Sequence, residues 1–450
     1  MTNGPGPMGP MGKGPNGDRP ERPGIPLGKQ TTTEYTGRYV VLLDQQEPER
    51  GMDALRSSVG IAAVERVRGA DPGAAAELLR RSDVSVVLDE LGVAVVDVQP
   101  DQRHALVTTA EAEPAIIATE PERVVYASVI TEPQRTLTGF FPTYRSDDDE
   151  VTRHTRAELA TSLGPAWDER HVTWGLQGIR ANWSHLTGSG VKVAVLDTGV
   201  DTDHPDLTGC VEATASFVSG AGVEDGHGHG THCIGTVAGP AQPQHAPRYG
   251  VAGEARVLAG KVLSDQGMGS DGEILAGMAW AVSQGARVIS MSLGAPVEPG
   301  ELFPQTYENV ARRALRRGTV IVAAAGNESR RPGFVAPVGR PANCPSILAV
   351  AALGKDLGTA FFSCGAINGA GGEIDIAAPG VDIFSAAPGG TYQTMSGTSM
   401  ATPHAAGVVT LLAQAHPEAS AADLSTRLRS GAHPLPQPAA DIGSGLLQAP

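Results

Sequence analysis

The sequence predicts an α/β protein, built on a mostly parallel sheet with helices on both faces and preceded by a small α+β domain. Three observations carry that expectation. Short apolar runs that stop at turn residues recur in the second half of the chain, among them Val191–Leu196 and Val320–Ala325. They are too short for helices and read as buried strands. Helical stretches fall between them, and strands joined through helices pair in parallel, because a parallel pair needs a long crossover. The 57 glycines, 34 prolines and 4% aromatic content suit a turn-rich protein packed with Ala and Val.

Four parts follow in order. Residues 1–37 are Gly/Pro-rich with no apolar face, which reads as disorder. Residues 38–128 form the small module. Tyr39–Leu43, Val84–Leu88 and Gly92–Val98 read as strands, Met52–Ser58 and Asp101–Thr109 as helices, and Arg123–Tyr126 as a closing strand. Residues 129–170 are a linker whose acid run, Asp147-Asp148-Asp149-Glu150, reads as a solvated tether. The α/β domain occupies 171–450.

The net charge of −15 argues against nucleic acid as a partner, which demands a basic face. No run approaches the ~18 apolar residues of a membrane span.

The chemistry is concentrated in three segments. Gly397-Thr398-Ser399-Met400-Ala401-Thr402-Pro403-His404 sets a serine among small residues where a helix begins. Small neighbours let a carbonyl approach the hydroxyl, and the helix start aims unpaired N–H groups at the site of an oxyanion. Val191–Asp197 ends a buried strand in an acid just before Gly199, and C-terminal strand ends are where open parallel sheets build their sites. His229-Gly230-Thr231-His232 opens a run of small residues that can lie close on the sheet. A rival reading makes Asp225, His227, His229 and His232 a metal cluster. It lacks the His-Glu-x-x-His pattern and leaves Ser399 and Asp197 without a role.

Asp, His and Ser in that order on a parallel scaffold follow the subtilisin order. With Gly250–Gly253, Ser290–Gly294 and Ala323–Asn327, the chain resembles the subtilisin-like serine peptidases (subtilases) from about Trp174 to its end. The resemblance implies that Ser399 is the nucleophile, His229 the general base and Asp197 the residue that orients it. It makes His232 structural. Asn327 becomes an oxyanion donor, and loss of such a donor costs about 10²–10³ in kcat, a magnitude that comes from this same family.

Further expectations rest on the same resemblance. The 38–128 module resembles an inhibitor-type propeptide, so a self-cleaving precursor is expected, with its own propeptide as intramolecular inhibitor. Gly267-Met268-Gly269 and Ser292-Leu293-Gly294 match segments that sandwich an extended protein or peptide substrate. Gly339 matches the floor of the pocket for the residue before the cut, which suggests a large apolar side chain there. No cofactor is expected for catalysis. A structural Ca²⁺ is expected at Asp375 with the carbonyls of Pro345 and Ile347. Cys233 is expected to be a buried free thiol, while Cys344 and Cys364 are equally compatible with a disulfide or with thiols. A monomer is expected. The N-terminal stretch lacks the regions of a signal peptide, although propeptide-bearing relatives are usually exported.

Overall fold

Tyr39–Leu43 is apolar at every position because the strand that contains it is covered on both sides. Val41 and Leu43 face one cluster, with Met52, Leu55 and Leu106, while Val40 and Leu42 face the main core. Successive side chains of a strand point to opposite faces, so a strand buried on both loses its polar alternation. A fully buried Val or Leu contributes about 1.5–3 kcal/mol.

The computed structural model of this chain describes residues 1, 33–61, 63–67, 72–81, 83–128, 165–369 and 371–450. Most of the expected disordered segment and of the acidic tether therefore lies outside the described residues.

The small module runs β1 (Tyr35–Leu43), α1 (Pro48–Ala54), β2 (Ala63–Val67), α2 (Pro72–Arg80), β3 (Val84–Leu88), β4 (Val93–Asp97), α3 (Arg103–Ala112) and β5 (Ile116–Ala127). The order across its sheet is β5-β1-β4-β3-β2. β2 and α2 were not anticipated. β2 pairs in parallel with β3, which requires a crossover, and α2 supplies it. As a mostly exposed edge strand, Ala-Val-Glu-Arg-Val carries little apolar signal. β1 begins at Tyr35, inside the stretch expected to lack structure.

The larger part opens with α4 (Trp174–Gly178). It continues through β6 (Lys192–Asp197), β7 (Val211–Ser216), α5 (His229–Ala238), β8 (Arg256–Lys261), β9 (Met268–Ser270) and α6 (Asp271–Ser283). β10 (Val288–Met291), β11 (Leu293–Gly294), α7 (Gln305–Arg316), β12 (Val320–Ala324), β13 (Leu348–Leu353) and β14 (Ile376–Pro379) follow. The hairpin β15 (Ile383–Ala387) and β16 (Thr391–Met395) precedes α8 (Thr398–Ala415), α9 (Ala421–Ser430) and α10 (Ala439–Ile442). Trp167 already belongs to this part, its indole N–H donating to Lys355 O at 2.8 Å.

Seven strands pair in parallel in the order β14-β13-β12-β10-β6-β8-β7. α8 crosses β10, β12, β13 and β14 beside α5, while α6 packs on β6 and β8. This is the expected doubly covered parallel sheet. The chain leaves β6 toward β8 on one side and resumes at β10 on the other, so the order reverses beside β6. A crevice opens at the C-terminal strand ends at such a point.

Candidate active site

Asp197 ends β6 at that crevice because Thr198 and Gly199 turn the chain away. Gly199 has φ +114°, a left-handed value that favours glycine. A Cβ on Gly230 would stand 2.2 Å from Gly199 O, so only glycine lets the start of α5 press onto this turn. That contact delivers His229, the first residue of α5, to the strand end. His229 Nδ1 lies 2.7 Å from Asp197 Oδ1, and both side chains are buried. The same carboxylate oxygen accepts the Thr198 N–H at 2.7 Å.

Burial pushes the His229 imidazole's pKa down, but the Asp197 carboxylate outweighs it and holds the value above the ordinary range. A carboxylate at Nδ1 requires the hydrogen on that nitrogen, which leaves Nε2 as the basic atom. Nε2 is buried with no hydrogen-bond partner among the described residues.

Asp225 holds the preceding loop. Its oxygens accept from the Thr198 hydroxyl (2.8 Å), the Gly228 N–H (2.8 Å) and the N–H and hydroxyl of Thr231 (2.8 and 2.7 Å). Burial works against its charge, yet these donors keep its pKa below the usual carboxylate value. His232 turns away to Ile383 O at 2.9 Å, and burial drops its pKa to about 3. The rival metal set therefore does not converge. Among the described residues, the group whose ligand atoms come together is Asp197, His229 and Cys233, within 4.8 Å of one another.

Ser399 is the second residue of α8, and it is buried. Its hydroxyl donates to Ser292 O at 3.0 Å, just beyond the end of β10, rather than to His229. Cys233, one turn into α5, lies 4.0 Å from His229 Nδ1 and 3.7 Å from Ser399 O, so it ties the two helix starts together. Asn327 follows β12. Its Oδ1 accepts from the Thr398 N–H (2.9 Å) and hydroxyl (3.0 Å), which aims Nδ2 into the crevice. All four segments thus meet at the ends of β6, β10 and β12.

The segments expected to bind substrate hold an extended strand of this chain between them. β9 pairs antiparallel with β5 (Val125↔Gly269, Tyr126↔Met268), and β11 pairs with it from the other side (Leu293↔Ala127, Gly294↔Tyr126). Gly267 O accepts the Ala127 N–H at 2.9 Å. Gly339 donates to Ala325 O at 2.9 Å, and a Cβ there would stand 2.8 Å from Ala295 O. Glycine is required by that approach.

The calcium expectation meets a different arrangement. Asp375 Oδ1 accepts from Arg429 Nη1 at 2.9 Å and Oδ2 from the Ala349 N–H at 2.9 Å. A guanidinium supplies positive charge at Asp375 here and would compete with a Ca²⁺ held by Asp375 and the carbonyls of Pro345 and Ile347. All four cysteines are buried free thiols. Cys344 and Cys364 have separate partners, the Pro304 carbonyl (3.7 Å) and the Glu328 carboxylate (3.2 Å).

Several contributors escaped sequence reading. Ser292 was expected only as a substrate-binding residue, and the hold of its carbonyl on Ser399 is a contact that no residue code reveals. Glu120 and Glu122 of β5 cap helices far away in sequence. Glu120 accepts from Gln305 N (2.6 Å) at the start of α7, and Glu122 from Gly272 N (2.9 Å) at the start of α6. Two acids one residue apart on a strand were the only signal.

Comparison with known proteins agrees with this geometry. Residues 188–445 match the subtilase family (Peptidase_S8). The chain is 43% identical to Subtilisin E of Bacillus subtilis over 266 residues, which is 58% of this chain and 66% of that protein, just under two thirds. It is 42% identical to a subtilisin of Bacillus pumilus over 58% of this chain and 91% of that protein. With Subtilisin Savinase of Lederbergia lenta the identity is 41% over 62% of this chain and 97% of that protein. A parallel sheet whose switch point gathers Asp197, His229, Asn327 and Ser399, together with these matches, shows that the chain belongs to the subtilase family of subtilisin-like serine peptidases.

Proposed function

We propose that this subtilase is a serine endopeptidase acting on proteins and peptides, made as a precursor that its own site cuts. The observation that carries the reading is the 2.7 Å contact between His229 Nδ1 and Asp197 Oδ1, beside a serine at a helix start. In the reaction Ser399 Oγ turns from the Ser292 carbonyl to His229 Nε2, gives up its proton there and attacks the scissile carbonyl. Asp197 fixes the tautomer and stabilises the imidazolium. The Asn327 amide and the Ser399 N–H receive the oxyanion. The imidazolium then protonates the leaving amine, and water releases the acyl group by the reverse steps.

Residues 38–128 serve as intramolecular inhibitor, and the pairing of β5 with both β9 and β11 supports this. For the residue before the cut the enzyme prefers a large apolar side chain, in a pocket walled by Ser292–Gly294 and Ala324–Gly326 over Gly339. It acts as a monomer. The decisive experiment is casein hydrolysis by wild type and Ser399→Ala. Activity lost in the variant, and in wild type treated with a phosphonylating reagent, is expected. An active Ser399→Ala protein would exclude the mechanism. A peptide-library profile dominated by acidic or β-branched residues would reject the pocket.

A further inference from the structure

β5 does not stop at the groove; it runs into the catalytic residues. Beyond the pairing of Tyr126, the Ala127 N–H donates to Gly267 O (2.9 Å) and the Ser128 N–H to Ser292 O (3.2 Å). The latter carbonyl oxygen also accepts the Ser399 hydroxyl at 3.0 Å. One oxygen therefore holds both the backbone of Ser128 and the nucleophile. On its other side, Ser128 Oγ accepts the Asn327 amide at 3.1 Å and lies 3.5 Å from Thr398 Oγ1. Ser128 is thus the residue whose N–H shares an acceptor with the attacking group and whose hydroxyl accepts from the oxyanion donor.

The register of this strand is pinned from behind. Glu122, fully buried, pairs with Arg38 Nε at 2.6 Å and Nη2 at 3.0 Å, and accepts Gly272 N at 2.9 Å. The Arg123 N–H donates to Asp271 Oδ2 at 2.8 Å. A slip by one residue would turn Glu122 to the opposite face, and a slip by two would pull it from Arg38. Leaving a buried carboxylate unpaired is strongly unfavourable.

We propose that the chain cuts itself on the carboxyl side of Ser128. The inference rests on the endopeptidase reading above. It also runs against side-chain preference, because Tyr126 offers the large ring that the pocket favours. Register decides, since a carbonyl held beside the nucleophile gains an effective concentration of about 10⁵–10⁸ M when well oriented. Ser399 Oγ bonds to the Ser128 carbonyl carbon and the C–N bond to residue 129 breaks. His229 passes the serine's proton to the new amine, and one water hydrolyses the ester. The products are a fragment ending in the Ser128 carboxylate and a chain beginning Val129-Ile130-Thr131.

The test uses the full-length chain with a C-terminal tag, sampled early during maturation. Intact mass identifies the released N-terminal fragment, and terminal sequencing identifies the tagged product. A first fragment ending at Ser128 is expected in wild type and in Tyr126→Ala alike, with none from Ser399→Ala. A first cut after Tyr126, or anywhere from residue 130 to 170, would overturn the proposal while leaving a working peptidase. An uncut chain that digests casein would also overturn it. An uncut chain that stays inactive on casein even after a trace of added protease has removed its N-terminal module would instead remove the endopeptidase reading on which it stands.

Discussion

Replacing Asp197 with Asn isolates what the carboxylate does. The side chain keeps its volume, but one carboxylate oxygen meets both the Thr198 N–H and His229 Nδ1 at 2.7 Å, so only one of the amide's two groups can stand there. The oxygen there keeps the tautomer but takes away the negative charge that stabilises the imidazolium, while the other orientation takes the acceptor from the Thr198 N–H and sets the –NH₂ group against His229 Nδ1. That group can only donate, so the imidazole must accept there and move its hydrogen to Nε2, the atom that should receive the serine proton. Loss of that tautomer costs about 10⁴ in turnover, or roughly 5.4 kcal/mol of transition-state stabilisation. The assay is kcat/KM on a chromogenic peptide, with the variant precursor matured by trace wild type and active sites counted. Thermal unfolding should fall by no more than the loss of the Thr198 hydrogen bond, about 1–3 kcal/mol. Activity within tenfold of wild type, in a folded protein, would refute the orienting role of Asp197.

Four further outcomes are expected. Asn327→Ala should lower kcat about 10²–10³-fold with little change in KM, because its amide acts on the developing oxyanion; a pure KM effect would make it a packing residue. Activity requires neutral His229, whose pKa is held above the ordinary imidazole value near 6.5, so kcat/KM should fall as pH drops through a point above about 6.5. An acid limb below that would contradict the Asp197 contact. Ser128→Ala frees the Asn327 amide from a competing hydroxyl, a bond worth about 0.5–1.5 kcal/mol, and should speed self-cleavage roughly 2- to 10-fold. Unchanged or slower maturation would count against that contact. With Arg429 on Asp375, a calcium chelator should leave the melting temperature unmoved, and a clear drop would restore a calcium site.

Legibility followed locality. Asp197, His229 and Ser399 could be found in the sequence because each sits at the boundary of one element, marked by glycines and small residues within a few positions. The parallel sheet was legible for the same reason, as runs such as Val320–Ala324 are buried on both faces. β2 was missed because an exposed edge strand is selected for polarity, and the ion pair of Asp375 was not read because its partner, Arg429, arrives from a different helix.

By itself the sequence determined the parallel scaffold and singled out Asp197, His229 and Ser399 at the boundaries of its elements, since side-chain type and short-range periodicity are local properties. Only the tertiary structure decided that the Ser292 carbonyl holds Ser399, that Glu120 and Glu122 cap two distant helices, and that β5 reaches the site in a register ending at Ser128. Those are hydrogen bonds between backbone atoms and remote partners. A backbone N–H or carbonyl is the same in every residue that has one, so its partner is set by folding alone.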